Sequence, residues 1–336
     1  MEAGLWTAGL EPEKDLVFPA CPDNPDMRES VSLWFFEDNG RFAAPRMGIE
    51  AEASCWDDRL YQGNFAAEGG RVLIGPGKGA APSAIDANGQ PTIIGAGPVT
   101  FQCIEPFRRW TARFDGTAAD GHVSEQIART LDPQKRSPLI FEIDMEMAVP
   151  PWGQIVSGDD AEAGFMGVGY RFEQLFRARG TVELDGERRE ISGTGLRIHR
   201  QSVRQLEGFT GHCWQSALFP DGRAFGYIAY PPRDDGTPSY NEGYIWDGKR
   251  MVAARVADAP WLRRIAPEGL DVSLVLESEL GLTRIKGTTT LSTFRVGNPD
   301  IGGLNLQQSG VLYEWDGQQA YGMIERSAHE SLTTIG

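Results

Sequence analysis

Hydrophobic and polar residues alternate with a period of two along much of this chain. The longest clean run is Leu139-Ile-Phe-Glu-Ile-Asp-Met-Glu-Met147, with Leu139, Phe141, Ile143, Met145 and Met147 on one face and Glu142, Asp144 and Glu146 on the other. That period predicts a strand with one buried and one wetted side. The acidic triple reads as the wetted face, because carboxylates along one flat strand do not converge on a metal. Further strand signals cover 30–36, 47–55, 99–104, 109–114, 170–176, 193–199, 211–219, 224–230, 244–256, 270–276, 282–295 and 312–325. Tight-turn signals separate them: Asn39-Gly40, Asp115-Gly116, Asp185-Gly186, Asp221-Gly222, Asp247-Gly248 and Asp316-Gly317. Asn-Gly and Asp-Gly accept the positive φ values that a type I′ hairpin turn requires. The pattern predicts an all-β meander, whose closed form is a barrel able to hold a molecule. Helical signals are few and short, at 124–131, 203–209 and 260–265.

Length divides this pattern. A chain of 336 residues is too long for one small barrel and suits two units of about 150 residues each. Residues 1–28, rich in Pro, Asp and Glu, read as an arm. A first β domain is expected over 29–150. Pro150-Pro151 and the small polar run 157–163 predict a linker at 151–165, followed by a second β domain over 166–336.

The formal net charge of −15 argues against nucleic acid and anionic membrane surfaces as partners. The 4 Cys, at 21, 55, 103 and 213, are too widely spaced for a zinc site and read as free thiols of a reducing compartment. Neither a basic, apolar leader nor a membrane-length apolar run is present, so the expectation is a cytoplasmic protein. The nucleophile elbow, the phosphate loop and the dinucleotide fingerprint are all missing. Any chemistry falls to ordinary side chains in a pocket.

The sharpest constellation is Gly193-Thr-Gly-Leu-Arg-Ile-His-Arg200. On a strand, Gly195, Arg197 and His199 share a face. Gly leaves room, Arg supplies a fixed cation and His moves protons near neutral pH. The alternative is that this face is simply wetted. Glu173, in an apolar barrel, would have a raised pKa and serve as acid or base; otherwise it is a surface carboxylate near Arg171 and Arg177. Gln174 would orient water or a substrate oxygen. His212 and Trp214 share a face, either as a proton donor under an aromatic lid or as a packed pair. Trp246 and Tyr240 are further candidates for lining a ligand. Glu325, at a strand end, is a ligand contact or a structural ion pair. His199, Glu173 and Arg197 are thus the expected catalytic group, with Gln174, Trp214, His212, Tyr240, Trp246 and Glu325 binding substrate and no metal.

Several of these segments recur in a known order. They are Arg28-Glu-Ser30 entering Trp34-Phe-Phe36, then Glu105-Pro-Phe-Arg-Arg-Trp-Thr-Ala-Arg-Phe-Asp-Gly116, then Phe172-Glu-Gln174 before Gly180-Thr-Val. Gly193-Thr-Gly-Leu-Arg-Ile-His199 follows, and Glu314-Trp-Asp-Gly317 leads to Tyr321-Gly-Met-Ile-Glu325. The ordered set resembles the two-domain lipocalin-like superfamily of carotenoid 1,2-hydratase, AttH-like proteins and related Diels–Alderase-type cyclases, and most closely a bacterial branch of that group. Where that branch shows an acidic residue before the His and Ser-Trp-Gly after it, this chain reads Arg197-Ile-His-Arg-Gln-Ser202. The resemblance implies two lipocalin-like antiparallel β-barrel or half-barrel domains packed together, with few short helices. It also implies a cavity for a hydrophobic small molecule and no cofactor. The expected activity is that of a hydratase, lyase or cyclase acting on a terpenoid, polyketide or aromatic compound. A non-catalytic carrier of a hydrophobic ligand is the alternative, and a homodimer is left open.

Overall fold

Two of the Asp-Gly turns have the backbone that the sequence asks for. Asp185 and Gly186 carry φ of 57° and 80°, and Asp316 and Gly317 carry 48° and 76°. At Asn39-Gly40, Asp221-Gly222 and Asp247-Gly248 only the glycine is left-handed. Asp115-Gly116 is not a turn at all. It lies mid-strand, where Gly116 pairs with Leu139 on one side and the Asp115 amide donates to the Pro98 carbonyl on the other. Strand pairing on both flanks overrides the local turn preference.

The computed structural model describes residues 6–156, 168–203, 208–233, 235–237, 239–298 and 303–336. The first sheet holds β1 (Met27–Glu37), β2 (Phe42–Glu52), β3 (Asp58–Ala67), β4 (Arg71–Ile74), β5 (Gly77–Ala80), β6 (Ile93–Ala96), β7 (Val99–Glu105), β8 (Arg109–His122) and β9 (Arg136–Met147). It also takes in β10 (Trp152–Val156), β11 (Val168–Leu184) and β12 (Glu187–Val203). Its ladder runs β11-β12-β1-β2-β3-β4-β8, and β9 pairs with both β8 and β11, so the hydrogen bonding returns on itself. The second unit is a closed antiparallel barrel of eight strands. These are β13 (Gly211–Leu218), β14 (Ala224–Ala229), β15 (Asn241–Trp246), β16 (Met251–Asp258), β18 (Leu274–Ser278), β19 (Gly281–Asn298), β20 (Leu304–Trp315) and β21 (Gln318–His329). β17 (Arg264–Ile265) pairs in parallel with β22 (Thr334–Ile335). The protein is all-β and lipocalin-like, with two barrel-like units.

The sheets divide later than the 151–165 linker suggests. β10, β11 and β12 belong to the first sheet, and the barrel starts at Gly211. β12 must lie beside β1 to complete the ladder, with Val31 opposite His199 and Leu33 opposite Arg197. Residues 157–165 of that expected linker, and most of the helix expected at 203–209, fall outside the described residues. The helix expected at 124–131 is present as α1 (Val123–Ala128), capped by His122. The segment 260–265 is not helical; it ends in β17. Among the described residues, no helix is long and apolar enough to cross a membrane.

Alternation sets what each wall presents. In β9, Leu139, Phe141, Ile143, Met145 and Met147 are all buried, while Asp144 meets Arg109 on the outer face. Val31, Leu33 and Phe35 of β1 point into the first barrel, with Phe65, Trp110, Phe114 and Phe141. Trp34 and Phe36 point the other way and join Leu175, Leu196, Ile198 and Trp214 in a core between the two units. The second barrel is filled by its own side chains, including Phe225, Tyr227, Ile245, Leu276 and Tyr313. A polar chain closes within it: Tyr227 donates to Gln215, and Gln215 Nε2 donates to Tyr313 Oη at 2.8 Å. Tyr313 in turn donates to the Met323 carbonyl at 3.0 Å. One hollow lies at the seam between the units.

Candidate functional site at the seam

Strand parity decides which expected residues can meet. In the β11–β12 ladder, Phe172 opposes His199, Glu173 opposes Ile198 and Gln174 opposes Arg197. Opposed residues share a face. Gln174, Arg197 and His199 therefore face into the first barrel, while Glu173 faces the seam with Arg171, Leu175 and Ile198. The expected catalytic trio is split by the thickness of the sheet.

His199 and Arg197 are buried, at 1% and 0% exposure, and neither lines the hollow at the seam. A Cβ at Gly195 would come within 2.5 Å of the Phe176 ring, so the room that glycine leaves is already occupied. The charged groups also pair with one another, although Arg197 Nε and Nη1 have no hydrogen-bond partner among the described residues. Arg197 Nη2 bonds Asp15 Oδ1 at 2.9 Å and Gln174 Oε1 at 2.8 Å, and its guanidinium stacks 4.4 Å over Trp110. Asp15 Oδ2 accepts from the Phe107 amide at 2.6 Å and from Trp110 Nε1 at 2.8 Å. His199 Nε2 meets Glu29 Oε1 at 2.9 Å, and Glu29 also accepts the Phe18 amide. Burial pushes the Asp15 carboxyl up, but Arg197 and His199 outweigh it and hold it below the ordinary value. Burial likewise pushes His199 down, but the Asp15 and Glu29 carboxylates prevail and raise it. This cluster fastens the N-terminal arm inside the first barrel. Gln174 belongs to it and binds no seam ligand.

The seam-facing residues of β13 and β21 form a different group. Trp214 opposes Glu325 and His212 opposes Ser327, and Gln308 of β20 continues the Trp214–Glu325 row. Glu325 Oε1 lies 3.4 Å from His212 Nε2. Glu325 Oε2 accepts from Gln308 Nε2 at 2.8 Å and from Arg46 Nη1, of β2, at 3.2 Å. Asn64 of β3 donates to Gln308 Oε1 at 2.8 Å. The His212–Glu325 pair thus lies on the second unit, and Arg46 and Asn64 of the first unit brace it. Ser327 Oγ accepts the His212 amide and lies 2.7 Å from Nδ1. A hydroxyl proton given to Nδ1 leaves the imidazole proton on Nε2, toward Glu325. Burial raises the Glu325 carboxyl, yet Arg46 and His212 overcome this and bring it down to about 2.

Of these, Arg46, His212, Trp214, Gln308 and Glu325 line a cavity of about 310 Å³ at the seam. Its first-unit wall carries Ser30, Ser32, Arg171, Ile198 and Arg200; its second-unit wall carries His212, Trp214, Ile228, Tyr230, Leu306 and Glu325. A second hollow of about 450 Å³ shares Arg46, Glu50, Leu60, Gln62, Val296 and Gly297 with it, and so extends it outward. The floor is low because small residues form it: Ser32 lies opposite Gly48, where a Cβ would come within 2.2 Å of Ser32 Oγ. Trp214 stands edge-on to Trp34, centroids 4.8 Å apart, and Phe209 lies 5.8 Å from the His212 ring.

Glu173 sits behind this wall with 0% exposure. It accepts from Trp214 Nε1 at 3.1 Å and meets Arg171 Nη1 at 2.6 Å. Burial outweighs both partners and raises its carboxyl. The pKa direction expected from an apolar environment is present, but the group positions Trp214 instead of touching the cavity. Trp246 is buried nearby in the inter-unit core without lining the cavity. Tyr240 is one shell out, stacked on Tyr230 at 5.2 Å and donating to Glu242. Arg46, Arg200, Gln308 and Ser327 were not among the expected residues. Period-two parity from His212 and Glu325 reaches Ser327, but no local signal points to Arg46.

A family profile described as a domain of unknown function, DUF7064, matches residues 11–330. The chain belongs to this family. Among solved structures, the DUF7064 chain is similar to a protein assigned as AttH from Nitrosomonas europaea, at 16% identity over 94% of this chain and 99% of that one, TM-score 0.54. It is also similar to CghA in complex with Sch210972, at 10% identity over 94% and 97%, TM-score 0.50. Kievitone hydratase from Nectria haematococca aligns over 94% and 93% at 10% identity, TM-score 0.49. The fold is that of AttH-like, lipocalin-type proteins, as the sequence resemblance implies. Among curated proteins, no sequence matches.

Proposed function

We propose that this DUF7064 protein is a cofactor-independent acid–base enzyme. It adds or removes water, or closes a ring, on a largely hydrophobic small molecule held at the seam. The observation that carries this reading is the His212–Glu325 pair in the cavity wall. Glu325 stays ionised through Arg46 and holds the imidazole by its Nε2 edge. As an imidazolium, with Nδ1–H turned to Ser327 Oγ, His212 gives its Nε2 proton to the substrate in place of the Glu325 contact, and the neutral ring then takes a proton from the water that adds. Trp214 offers a π face to charge developing on the substrate. Phe209, Ile198, Ile228 and Leu306 supply the apolar contact. A simple carrier would keep its ionisable groups at the rim, whereas here they form the wall.

The fold shared with CghA fits this reading without proving an activity. The test is to incubate the protein with extracts of its source and follow the products by mass spectrometry. A compound gaining or losing one water, or isomerising, is expected with the native chain. His212→Gln is expected to lose that conversion while still retaining ligand. Full conversion by the variant would refute the assignment.

A further inference from the structure

The charges around the seam cavity are matched without a ligand. Arg28 meets Glu52 at 3.1 Å and Arg46 meets Glu325 at 3.2 Å, while Glu50 lies 3.7 Å from Arg28 and 3.5 Å from Arg46. The buried Glu173 carboxylate takes Arg171 at 2.6 Å and also attracts Arg200. A charged ligand would give up its hydration on entry and break one of these pairs to replace it.

The hydrogen-bonding capacity left over is neutral. One row of the first sheet runs Ile198, Ser32, Gly48, Gln62 across β12, β1, β2 and β3. Ser32 is 3% exposed and lines the cavity, yet its hydroxyl has no hydrogen-bond partner among the described residues. A Cβ at Gly48 would come within 2.2 Å of Ser32 Oγ, so the hydroxyl leans over that glycine, on the side of Gln62. Gly48 does not have the left-handed backbone that favours glycine; the space above it is what a side chain would take away. Gln62 lines both this cavity and its outward extension. Its Nε2 donates to Gln308 Oε1 at 3.4 Å, and its Oε1 accepts nothing among the described residues. A hydroxyl and a carboxamide oxygen thus flank a glycine-floored notch where the two hollows meet. The next row, Arg200, Ser30, Glu50, Leu60, has a glutamate in place of the glycine.

We propose that the notch over Gly48 binds a hydroxyl group of an uncharged ligand, an alcohol or a phenol, which accepts from Ser32 Oγ and donates to Gln62 Oε1. This rests on the seam being the binding site and deepens that reading by naming the substrate class. A hydroxyl suits the notch because it gives one hydrogen bond and takes another. The apolar body then lies along Ile198, which shares the row, and along Ile228 and Leu306 of the facing wall, toward His212.

The test compares 2-naphthol with 2-fluoronaphthalene, of nearly equal shape but without the hydroxyl, by calorimetric titration of the full chain near neutral pH. A site that felt only the apolar body would favour the fluoro compound, which leaves water more readily. 2-Naphthol is expected instead to bind about three- to tenfold tighter, the effect of a neutral hydrogen bond. Added salt should leave that ratio unchanged. Ser32→Ala and Gln62→Leu are each expected to erase most of the preference, whereas Ser30→Ala, one row away, keeps it. Equal binding, tighter binding of the fluoro compound, a preference that survives Ser32→Ala, or binding of neither probe would overturn the proposal. If Ser32→Ala does not fold, Gln62→Leu set against Ser30→Ala decides. His212→Gln separates this proposal from the activity. A variant that still prefers naphthol but retains turnover sinks the catalytic assignment and leaves the hydroxyl site standing. Loss of turnover in that variant, with no naphthol preference in the native chain, does the reverse.

Discussion

The two faces of β12 carry two ionic clusters of opposite character. On the inner face, Asp15, Arg197, His199 and Glu29 pair with one another and are 0% to 1% exposed. On the seam face and the wall across from it, Arg200, His212, Glu325 and Arg46 line an open space. Similar side chains thus do different work on either side of one strand. What separates them is supply. The inner cluster receives one carboxylate from the arm, Asp15, and one from β1, Glu29. The seam cluster borders a hollow because Ser30, Ser32 and Gly48 leave its floor low. A perturbed histidine is therefore weak evidence of catalysis until the volume beside it is known.

The strongest way to break this contrast is to empty the inner cluster. Asp15→Ala leaves Arg197 buried without its carboxylate and is expected to cost about 3–5 kcal/mol in urea unfolding. A cost under about 1 kcal/mol would mean that the cluster does not hold the arm. Next comes His212→Gln, expected to slow the conversion by about a hundredfold or more, with a change in unfolding free energy too small to explain it. His199→Gln should do the converse, losing stability while the folded fraction retains its turnover rate.

Acid and base sharpen the comparison further. Glu325 titrates at about 2 when folded, against an ordinary 4.5, so its stabilisation is complete above pH 4.5 and is lost as the pH falls toward 2. Asp15, also lowered, adds to the acid loss below its ordinary 3.8. His199 is raised, so its contribution is complete below its ordinary 6.5 and is lost as the pH climbs through its folded value. Unfolding curves across pH should show that alkaline loss vanish in His199→Gln, and part of the acid loss vanish in Glu325→Gln. The smallest effect is expected from Tyr240→Phe, less than about twofold on turnover, since this hydroxyl bonds Glu242 outside the cavity wall.

Much of the fold was legible. The alternation through Met147 gave a strand with the right face inward, and Asp185-Gly186 gave a true hairpin. Closure was not legible, because it depends on β12 finding β1 across more than half the chain. The site was half legible. His212, Trp214 and Glu325 stand out by residue type and line the seam cavity, whereas Arg197 and His199, which lie close together in sequence, face the first barrel instead. Their neutralising partner comes from a stretch with no periodicity, and the pairing of Glu173 with Ile198 that removes it from their face is a matter of register. Asp115-Gly116 failed for a related reason: two flanking strands captured a segment that would turn if left alone.

The cavity has one wall on each barrel, with His212 and Glu325 on one body and Arg171 and Arg200 on the other. Neither wall by itself fixes the gap between them; the angle at which the bodies dock does. Substitutions in the tryptophan contact between Trp34 and Trp214 would then act like turning a calliper screw, resetting which molecular lengths the seam accepts without altering a single reacting group.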